Sequence, residues 1–373
     1  MLDLHPDEEL TEIGALARSI GSELLAPSAR DAERDRAVPP DVWHKLFETG
    51  LTVPVPEEHG GGGVPEPLTL LTAVENLAHG DPGIALAAFW NGAAALLIAE
   101  HGTLEQQQVL SRLATDPGVR SAVALYEGYG RGPAEYATTI TVDGDRVRLV
   151  GTKRAVAFAA SAELYVVAGV DAASGAQRAV VVPAGTGGVT VADDAGRAGR
   201  IALDAAQAAD VVFDAELPAS ALLGGSDAGT LTATVQRLRL LTASAAIGTA
   251  VRATEYAAQY ATTRIAFGQP IAAFQGVAFP LAESLIRIEA ARLELAEATL
   301  VLLEDPTGDH EALVAQAVAY ALSVGTQSTR QAVQTLGGHG FIKDHPVELW
   351  YRCAAALSAL DLDTSRAPFT AAL

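Results

Sequence analysis

The chain has 373 residues, of which 49% are hydrophobic and 19% charged, so it can bury a large core and is not a disordered tether. It carries 25 Lys and Arg against 45 Asp and Glu, and this net charge of −20 excludes nucleic-acid binding through a basic patch. No run reaches the roughly 18 to 20 uninterrupted apolar residues of a spanning helix, so we expect no membrane span. The apolar excess leaves two interpretations open: a single large core, or a second face buried against other subunits.

The only cysteine, Cys353, rules out an intrachain disulfide and a cysteine-based zinc site. The 8 histidines form no HxH, HxxxH or HExxH pair with a third ligand in evident reach, so we predict no metal site. The N-terminus is acidic and amphipathic from its start, without the basic and apolar segments of a secretory signal. We therefore expect a cytoplasmic protein.

The first third of the chain, residues 7–116, shows mainly helical periodicity, with apolar residues at three- and four-residue spacing over 10–25. A later helix over 84–101 is apolar nearly all round, which predicts burial within a bundle. The glycine run over 60–63 predicts a loop, because it lacks the Lys-Ser/Thr of a P-loop and follows no buried strand. A nucleotide cradle is the alternative.

Around Ser121 the period changes to short β-branched segments separated by turn sequences such as Asp143-Gly-Asp. Strands are predicted over 137–142, 146–150, 164–168, 178–182 and 210–213. Helical patterns return over 238–263, 274–303 and 312–336, and a final helix is predicted after Pro346.

The order of helices, then strands, then helices predicts an α+β fold that is mainly α. We assign an N-terminal helical domain to residues 1–120, a middle antiparallel β domain to 121–225 and a C-terminal helical bundle to 226–373.

Two segments of the C-terminal third carry recognisable motifs. They are Tyr260-Ala-Thr-Thr-Arg264-Ile-Ala-Phe267-Gly268-Gln-Pro270-Ile271 with Phe274-Gln275, and Gln334-Thr-Leu-Gly337-Gly338-His-Gly340-Phe341 with Trp350-Tyr351-Arg352. They resemble the two signatures of the acyl-CoA dehydrogenase family, and residues 50–61 resemble its N-terminal motif. The resemblance extends over essentially the whole chain and implies an enzyme with FAD as its cofactor.

The chemistry of these residues suits such a role. Arg264 offers a planar fork to a pyrophosphate, and Gln275 can both donate and accept. Gly337 and Gly338 let a backbone approach a bulky cofactor closely. The alternative is that Arg264 pairs with a carboxylate and that the glycines cap a helix.

The resemblance implies α,β-desaturation of an acyl thioester, carried by CoA or an acyl carrier, with an electron-transfer flavoprotein or similar acceptor. A carboxylate would remove the α-proton while the β-hydrogen leaves as hydride to FAD. The family's base commonly stands nine residues after the Arg of the Tyr-Arg pair, which here is Asp361 in place of Glu. A second possible base, just before Arg239, is absent because Leu238 stands there. The alternative is that Asp361 has no catalytic role and that it and Asp363 only cap a helical segment.

Arg239 is assigned to the substrate region, where a guanidinium would favour the ionised acid, and an ordinary interhelical ion pair is the alternative. The resemblance assigns FAD to Arg264, Phe267, Gln275, Gln334, Gly337, Gly338, Tyr126 and Ala157. Those from the C-terminal third would reach across a subunit interface to a neighbour's flavin, whereas the segments around Tyr126 and Ala157 would hold the chain's own flavin ring.

The ring-holding segments depart from the family pattern. Tyr126-Glu127 through Pro133 keeps only the Glu and the glycine-rich character of Thr-Glu-Pro-Gly-Ala-Gly-Ser-Asp. Ala155 replaces an indole, Ala157 replaces a hydroxyl, and Leu362-Asp363 replaces Gly-Thr after the base. Tyr126 and Tyr129 could stack on a ligand or fill an otherwise vacant flavin pocket.

Three functions stay open. The chain is a self-sufficient acyl-CoA dehydrogenase, or a catalytically incomplete partner subunit that adds the adenine and pyrophosphate half of a FAD site, or an assembly component that oxidises nothing. We expect its C-terminal helices to pack in a homo- or hetero-oligomer, a dimer or dimer of dimers. His339 either contacts cofactor or is a helix-end histidine bonded to backbone.

Overall fold

A computed structural model describes residues 8–131, 135–192, 201–224, 228–361 and 363, without the side chains of 228 and 229. Helices, then a sheet, then a helical bundle follow one another, which confirms the predicted α+β, mainly α fold. Residues 1–7, 132–134 and Leu362, which belong to features named above, lie outside the described residues. The N-terminal helices are α1 Glu8–Ile20, α2 Ala26–Asp35, α3 Pro40–Glu48, α4 Pro67–Gly80, α5 Pro82–His101, α6 Leu104–Gln107 and α7 Leu110–Thr115.

The first helices cross α4 at a pair of glycines. A π-helical turn, Gly21–Leu25, joins α1 to α2. A Cβ on Gly80 would lie 2.0 Å from the carbonyl oxygen of Gly21, so the two backbones touch at a separation that only glycine permits. The glycine run over 60–63 is a loop, as predicted, and the N–H of Gly63 donates to the carbonyl oxygen of Val55.

Helix α5 forms the buried centre of the N-terminal half. Asp81 caps it by accepting from the N–H of Ile84 at 2.8 Å. Among the described helices, α5 is the one long and apolar enough to cross a membrane. Its apolar residues do not form an uninterrupted run, because the polar Asn91 stands in its middle. Because 89% of its most apolar stretch is buried inside the protein, α5 resembles the core helix of a globular protein.

The middle segment forms a seven-stranded sheet in the order β1-β4-β2-β3-β7-β6, with β5 paired to β4. All five predicted strands are present, and two short ones, β1 and β6, were not predicted. The strands are β1 Ser121–Ala124, β2 Thr139–Asp143, β3 Arg146–Val156, β4 Leu164–Asp171, β5 Gln177–Pro183, β6 Val189–Val191 and β7 Ala209–Pro218.

The sheet is mixed, so the prediction of a purely antiparallel domain was wrong in this detail. β4 pairs in parallel with β1, Ser121 lying opposite Leu164, and in parallel with β2, Thr139 lying opposite Val170. The other pairs are antiparallel. Turn sequences predict hairpins between consecutive strands, but longer connections join β1 and β2 to β4 and permit parallel pairing.

The C-terminal part is a bundle of long helices. Its elements are α8 Ala228–Thr263, the hairpin β8 Ile265–Ala266 and β9 Gln269–Pro270, α9 Gln275–Glu304, α10 Glu311–Leu336 and α11 Val347–Leu357. One hydrophobic cluster takes residues from the N-terminal helices, the sheet and this bundle, including Ala17, Val166 and Leu322. The predicted domain boundaries near 120 and 225 therefore stay predictions, because packing joins all three parts.

The cap of α5 makes stability depend on pH. Burial raises the pKa of the Asp81 carboxyl to about 6, against about 3.9 in an unfolded chain. The resulting stability is fully present below about pH 4 and is lost as the pH rises through about 6. Asp81→Asn keeps a good cap and removes the charge. The wild type should therefore lose stability relative to Asp81→Asn as the pH rises. The difference in free energy of unfolding between the two proteins should shift by about 2 to 3 kcal/mol in favour of the variant from pH 4 to pH 7.5.

Denaturant unfolding at both pH values measures this difference. Asp81→Ala is the control, since it removes cap and charge together, and it should be less stable than Asp81→Asn at either pH. A difference between Asp81→Asn and wild type that does not change with pH would contradict the expectation.

Candidate active site and cofactor face

Arg239 on α8 and Asp361, beyond the end of α11, form a buried ion pair. Nε of Arg239 lies 2.6 Å from Oδ2 of Asp361, and Nη2 donates to Oδ1 at 3.4 Å. The two side chains are 8% and 18% exposed. Burial opposes the guanidinium charge, but the Asp361 carboxylate outweighs it and raises the pKa of Arg239. The carboxylate at the predicted base position is therefore held by a permanent cation.

Tyr136 packs against this ion pair. Its Oη accepts from Nη2 of Arg239 at 3.3 Å and from Nε2 of Gln177 at 3.1 Å. Burial raises the pKa of the Tyr136 phenol to about 12, with the Arg239 charge opposing the shift. The phenol consequently stays protonated at neutral pH, and it occupies one donor of the guanidinium.

A second buried ion pair, Lys153 with Glu127, lies on the Tyr136 ring. Nζ of Lys153 is 2.8 Å from Oε1 of Glu127 and 4.8 Å from the ring centre of Tyr136. Burial lowers the pKa of the Lys153 amine to about 8, although Glu127 opposes the shift. The Glu127 carboxylate also accepts from the backbone N–H groups of Ala137 and Thr138. Glu127, the residue retained from the motif, therefore stabilises the backbone directly before β2.

Tyr126 fills the space between the sheet and the helices. Its Oη lies 3.0 Å from Oγ1 of Thr242, which also accepts from Nε1 of Trp90 at 3.3 Å. Burial, reinforced by the Asp361 charge, raises the pKa of Tyr126. A void of only about 20 Å³ remains among these side chains and Ala157. Tyr126 therefore packs in this interior, and its assignment to FAD stays a prediction.

A bulge in β3 marks the position of the missing indole. The register of β3 against β7 shifts between Lys153 and Val156, and Ala155 takes a left-handed conformation with φ 51°. Its N–H donates to Oδ1 of Asp210 at 3.1 Å. A cavity of about 330 Å³ lies beside Ala155, and its walls include Trp90, Gly128, Arg154, Asp204, Gln207, Asp210 and Leu360.

The end of the described chain is fastened to the glycine-rich loop of the sheet domain. The N–H of Asp363 donates to the carbonyl oxygen of Arg131 at 2.8 Å. The phenol of Tyr129 donates to Oδ1 of Asp363 at 3.0 Å. These contacts hold the segment that carries Asp361 in place.

The residues assigned to a neighbour's flavin lie on a different, exposed face. Arg264 follows α8 directly, and its backbone N–H donates to the carbonyl oxygen of Tyr260 at 2.9 Å. Its side chain is exposed. No described residue forms a salt bridge with Arg264, so the carboxylate-partner alternative is not observed there. Phe267 stands at the tip of the β8–β9 hairpin with φ 50° and is 97% exposed, edge-on to Phe274.

The second motif reaches the same face from α10. Gln334 is exposed on its last turn, and Gly337 ends the helix with φ 60°, so the helix-cap alternative holds for Gly337. A Cβ on Gly337 or Gly338 would meet nothing within 4 Å, so both glycines face open space. Tyr260 Oη lies 2.8 Å from Nδ1 of His339 and joins this segment to α8. We name the exposed surface formed by Arg264, Phe267, Gln275, Gln334, Gly337, Gly338 and His339 the cofactor face.

The comparisons with known proteins agree with this architecture. The family model described as acyl-CoA dehydrogenase, N-terminal domain, matches residues 7–116, and that described as acyl-CoA dehydrogenase, C-terminal domain, matches 229–361. The short-chain specific acyl-CoA dehydrogenase of Bos taurus mitochondria is 32% identical over 346 residues, or 90% of this chain and 82% of the relative. The chain therefore belongs to the acyl-CoA dehydrogenase family, flavin-dependent oxidoreductases that act on CH–CH bonds.

Solved structures give the same result. Butyryl-CoA dehydrogenase from Megasphaera elsdenii is 26% identical, with a TM-score of 0.79 over 96% of this chain and 95% of that chain. The ChsE4-ChsE5 complex from Mycobacterium tuberculosis contains a chain 26% identical, with a TM-score of 0.78 over 96% of this chain and 94% of that one.

The family cofactor, FAD, suits the two groups of residues here unequally. Solved neighbours of the same fold, 20% identical, contain FAD or its reduced form. On the cofactor face, an exposed guanidinium, two exposed amides and open glycine backbone fit the adenine and pyrophosphate half.

The ring half lacks the family's contacts. Ala155 and Ala157 offer neither indole nor hydroxyl, Tyr126 fills the space beside Ala157, and the cavity that remains beside Ala155 is lined by the Arg154–Asp210 pair and Asp204. No step of the chemistry is therefore assigned to this chain's own pocket.

Sequence reasoning missed several residues that close the interior. Trp90 had a signal, since it is the one indole in a helix made largely of alanine. Tyr136 and Thr242 had none, because a lone tyrosine or threonine is ordinary at any surface or core position.

The Arg239–Asp361 pair gives a stability prediction. Arg239→Met leaves a buried carboxylate without its cation and should lower the free energy of unfolding by about 3 kcal/mol, as should Asp361→Leu for the opposite charge. The double variant removes both charges and should lose clearly less than the sum of the single variants. Urea unfolding of the four proteins gives the coupling energy.

The exposed pair Arg148–Asp214, 50% and 59% exposed, is the matched control, and its coupling should be about 0 to 1 kcal/mol. Strictly additive effects of Arg239→Met and Asp361→Leu would show that the buried contact carries no coupling.

Proposed function

We propose that this chain is the cofactor-completing subunit of a heteromeric acyl-CoA dehydrogenase. It adds the adenine and pyrophosphate half of a FAD site to a partner chain that holds the flavin ring and the catalytic Glu. The partner is a family member that retains the Thr-Glu-Pro-Gly-Ala-Gly-Ser-Asp stretch, the indole and the hydroxyl. The observation that carries the proposal is the buried Arg239–Asp361 pair at the position where the family has its base.

A catalytic base needs a free lone pair within reach of the proton it removes. Asp361 is one methylene shorter than Glu, about 1.5 Å, and misplacement on this scale can lower a rate about a hundredfold. Its carboxylate also lies 2.6 Å from the Arg239 guanidinium and is engaged in that ion pair. Both features oppose α-proton removal by this chain.

The filled interior supports the same role. Tyr126, Trp90 and Thr242 are joined by hydrogen bonds in the space beside Ala157, where only about 20 Å³ is left. A ligand group entering this space would have to displace buried aromatic side chains that are already hydrogen-bonded, and such a loss of packing is costly.

The exposed face supports assembly with another chain. Phe267 is 97% exposed and Phe341 78%, and further apolar side chains project from β8, from α9 and from the loop after α10. They include Ile265, Phe279, Leu285, Ile286, Leu293 and Ile342. Exposed apolar area on this scale is typical of a subunit interface, and Phe267, at the tip of the hairpin, belongs to the cofactor face as well. The solved ChsE4-ChsE5 neighbour is itself a complex of two named components.

In the proposed complex, Arg264 binds the pyrophosphate, Gln275 and Gln334 hydrogen-bond to the adenine half, and the glycines let backbone approach it. FAD, when bound, supplies the oxidising power for the desaturation. Because the chain carries a net charge of −20, such anions must be drawn by local cations rather than by the overall field. The substrate is an acyl-CoA or acyl-carrier thioester, and an electron-transfer flavoprotein or similar acceptor takes the electrons.

A second candidate is a self-sufficient dehydrogenase with Asp361 as base. Two observations favour it: Asp361 stands at the family's base position, and a cavity of about 330 Å³ remains beside Ala155. The two candidates differ in flavin content and in the effect of removing Asp361.

Flavin content is the first test. The full chain purified alone should carry far less than one flavin per chain, because the ring half of its own site lacks the family's contacts. Co-expressed with a family member that retains the ring residues and Glu base, it should form a yellow complex with about half a flavin per chain. Flavin absorbance per protein measures both. Stoichiometric flavin on this chain alone would overturn the incomplete-site proposal.

Activity of the complex is the second test. The double variant Arg239→Met, Asp361→Leu should leave dye reduction with an acyl thioester within about twofold of wild type, because the partner carries the base. Arg264→Ala is the control and should lower flavin retention and rate together. If this chain catalyses by itself, the double variant should lose nearly all dye reduction.

A further inference from the structure

Two histidines stack beside the cofactor face. The rings of His339 and His345 lie 5.5 Å apart at an interplanar angle of 17°. Tyr260 Oη lies 2.8 Å from Nδ1 of His339, and Tyr256 Oη lies 2.7 Å from Nδ1 of His345. The two tyrosines are four residues apart on α8, so they present their phenols on one side of the helix. The His339 ring is therefore fixed by one hydrogen bond and one stacked neighbour.

This arrangement leaves a particular atom of His339 available. When the Tyr260 phenol donates to Nδ1, the proton of a neutral ring is on Nε2, and a protonated ring also carries one there. Nε2 of His339 has no hydrogen-bond partner within the described part of the chain, and the residue is exposed. The ring thus offers an oriented N–H donor at the surface.

The donor lies among the residues already assigned to an anion. Arg264 follows Tyr260 by four residues, one helical turn, and Gly337 and Gly338 directly precede His339. Charged groups also approach the histidine pair from the loop, from α2 and from α8, where Arg252 lies over the Trp350 ring that Tyr256 contacts. Lys343 and Asp344 precede His345, and Arg30 donates to the carbonyl oxygens of Lys343 and His345.

We propose that His339 is a further binding residue for the pyrophosphate of FAD at the cofactor face, and that Tyr260 and His345 are its positioning residues. The inference rests on the proposed function, because it requires a cofactor to be held at this face. An N–H···O bond to a charged phosphate oxygen is among the stronger hydrogen bonds in proteins. It would supplement Arg264 in a chain whose net charge of −20 repels the ligand.

The test separates the donor from the ring. His339→Phe keeps an aromatic ring for the stack but has no donor, and His339→Gln keeps an N–H donor but has no ring. In the flavin-stripped complex, the dissociation constant for FAD should rise about tenfold in His339→Phe and stay within about threefold in His339→Gln. Tyr260→Phe, which frees the ring, should give an intermediate value. Flavin fluorescence titration measures all of them.

Unfolding midpoint and subunit stoichiometry are read for every variant, and both should match wild type. Unchanged FAD affinity in His339→Phe would overturn the inference, and so would equal weakening in both His339 variants or a weakening that follows loss of the assembly. Arg264→Ala distinguishes failure of the role of His339 from failure of the proposed function of the cofactor face. If it weakens FAD binding while His339→Phe does not, only the role of His339 fails, and if neither does, the proposed function of this face fails.

Discussion

A guanidinium and a carboxylate held together away from water set the main constraint on this molecule. Arg239 comes from the middle of α8 and Asp361 from beyond α11, so their contact ties the central helix of the bundle to the end of the described chain. Buried charges are tolerated when they are paired and hydrogen-bonded, and Tyr136 accepts one further hydrogen bond from the guanidinium. The carboxylate at the predicted base position is thereby part of an ion pair that joins two distant segments.

The surrounding interior follows from the same constraint. Lys153 and Glu127 form a second buried pair against the Tyr136 ring, while Tyr126 and Trp90 meet at Thr242. Polar groups that are joined in this way favour one packing. The outer face has the opposite character: Arg264, Phe267 and the glycines after α10 are open to solvent.

Much of the fold could be predicted because its signals are local. The β-branched segments with Asp143-Gly-Asp between them predict the β2–β3 hairpin, and the long periodic patterns predict α9 and α10 almost to the residue. The parallel pairing of β4 with β1 and β2 left no such signal, since no turn joins those strands. The cofactor face was predictable from two continuous motifs, but the stack of His339 on His345 was not, because ring orientation depends on α8 packing against both.

The sequence by itself determined the element order, the residues of the two motifs, and the replacement of an indole and a hydroxyl by Ala155 and Ala157. These are properties of short windows, in which periodicity, turn chemistry and residue type act directly. The sequence offered an Arg239 ion pair and a filled interior only as alternatives, and the tertiary structure shows that Asp361 pairs with Arg239, 122 residues away, and that Tyr126 packs in the interior. Such contacts depend on how distant helices and strands pack, and a carboxylate's neighbours, rather than its place in the chain, set its chemistry.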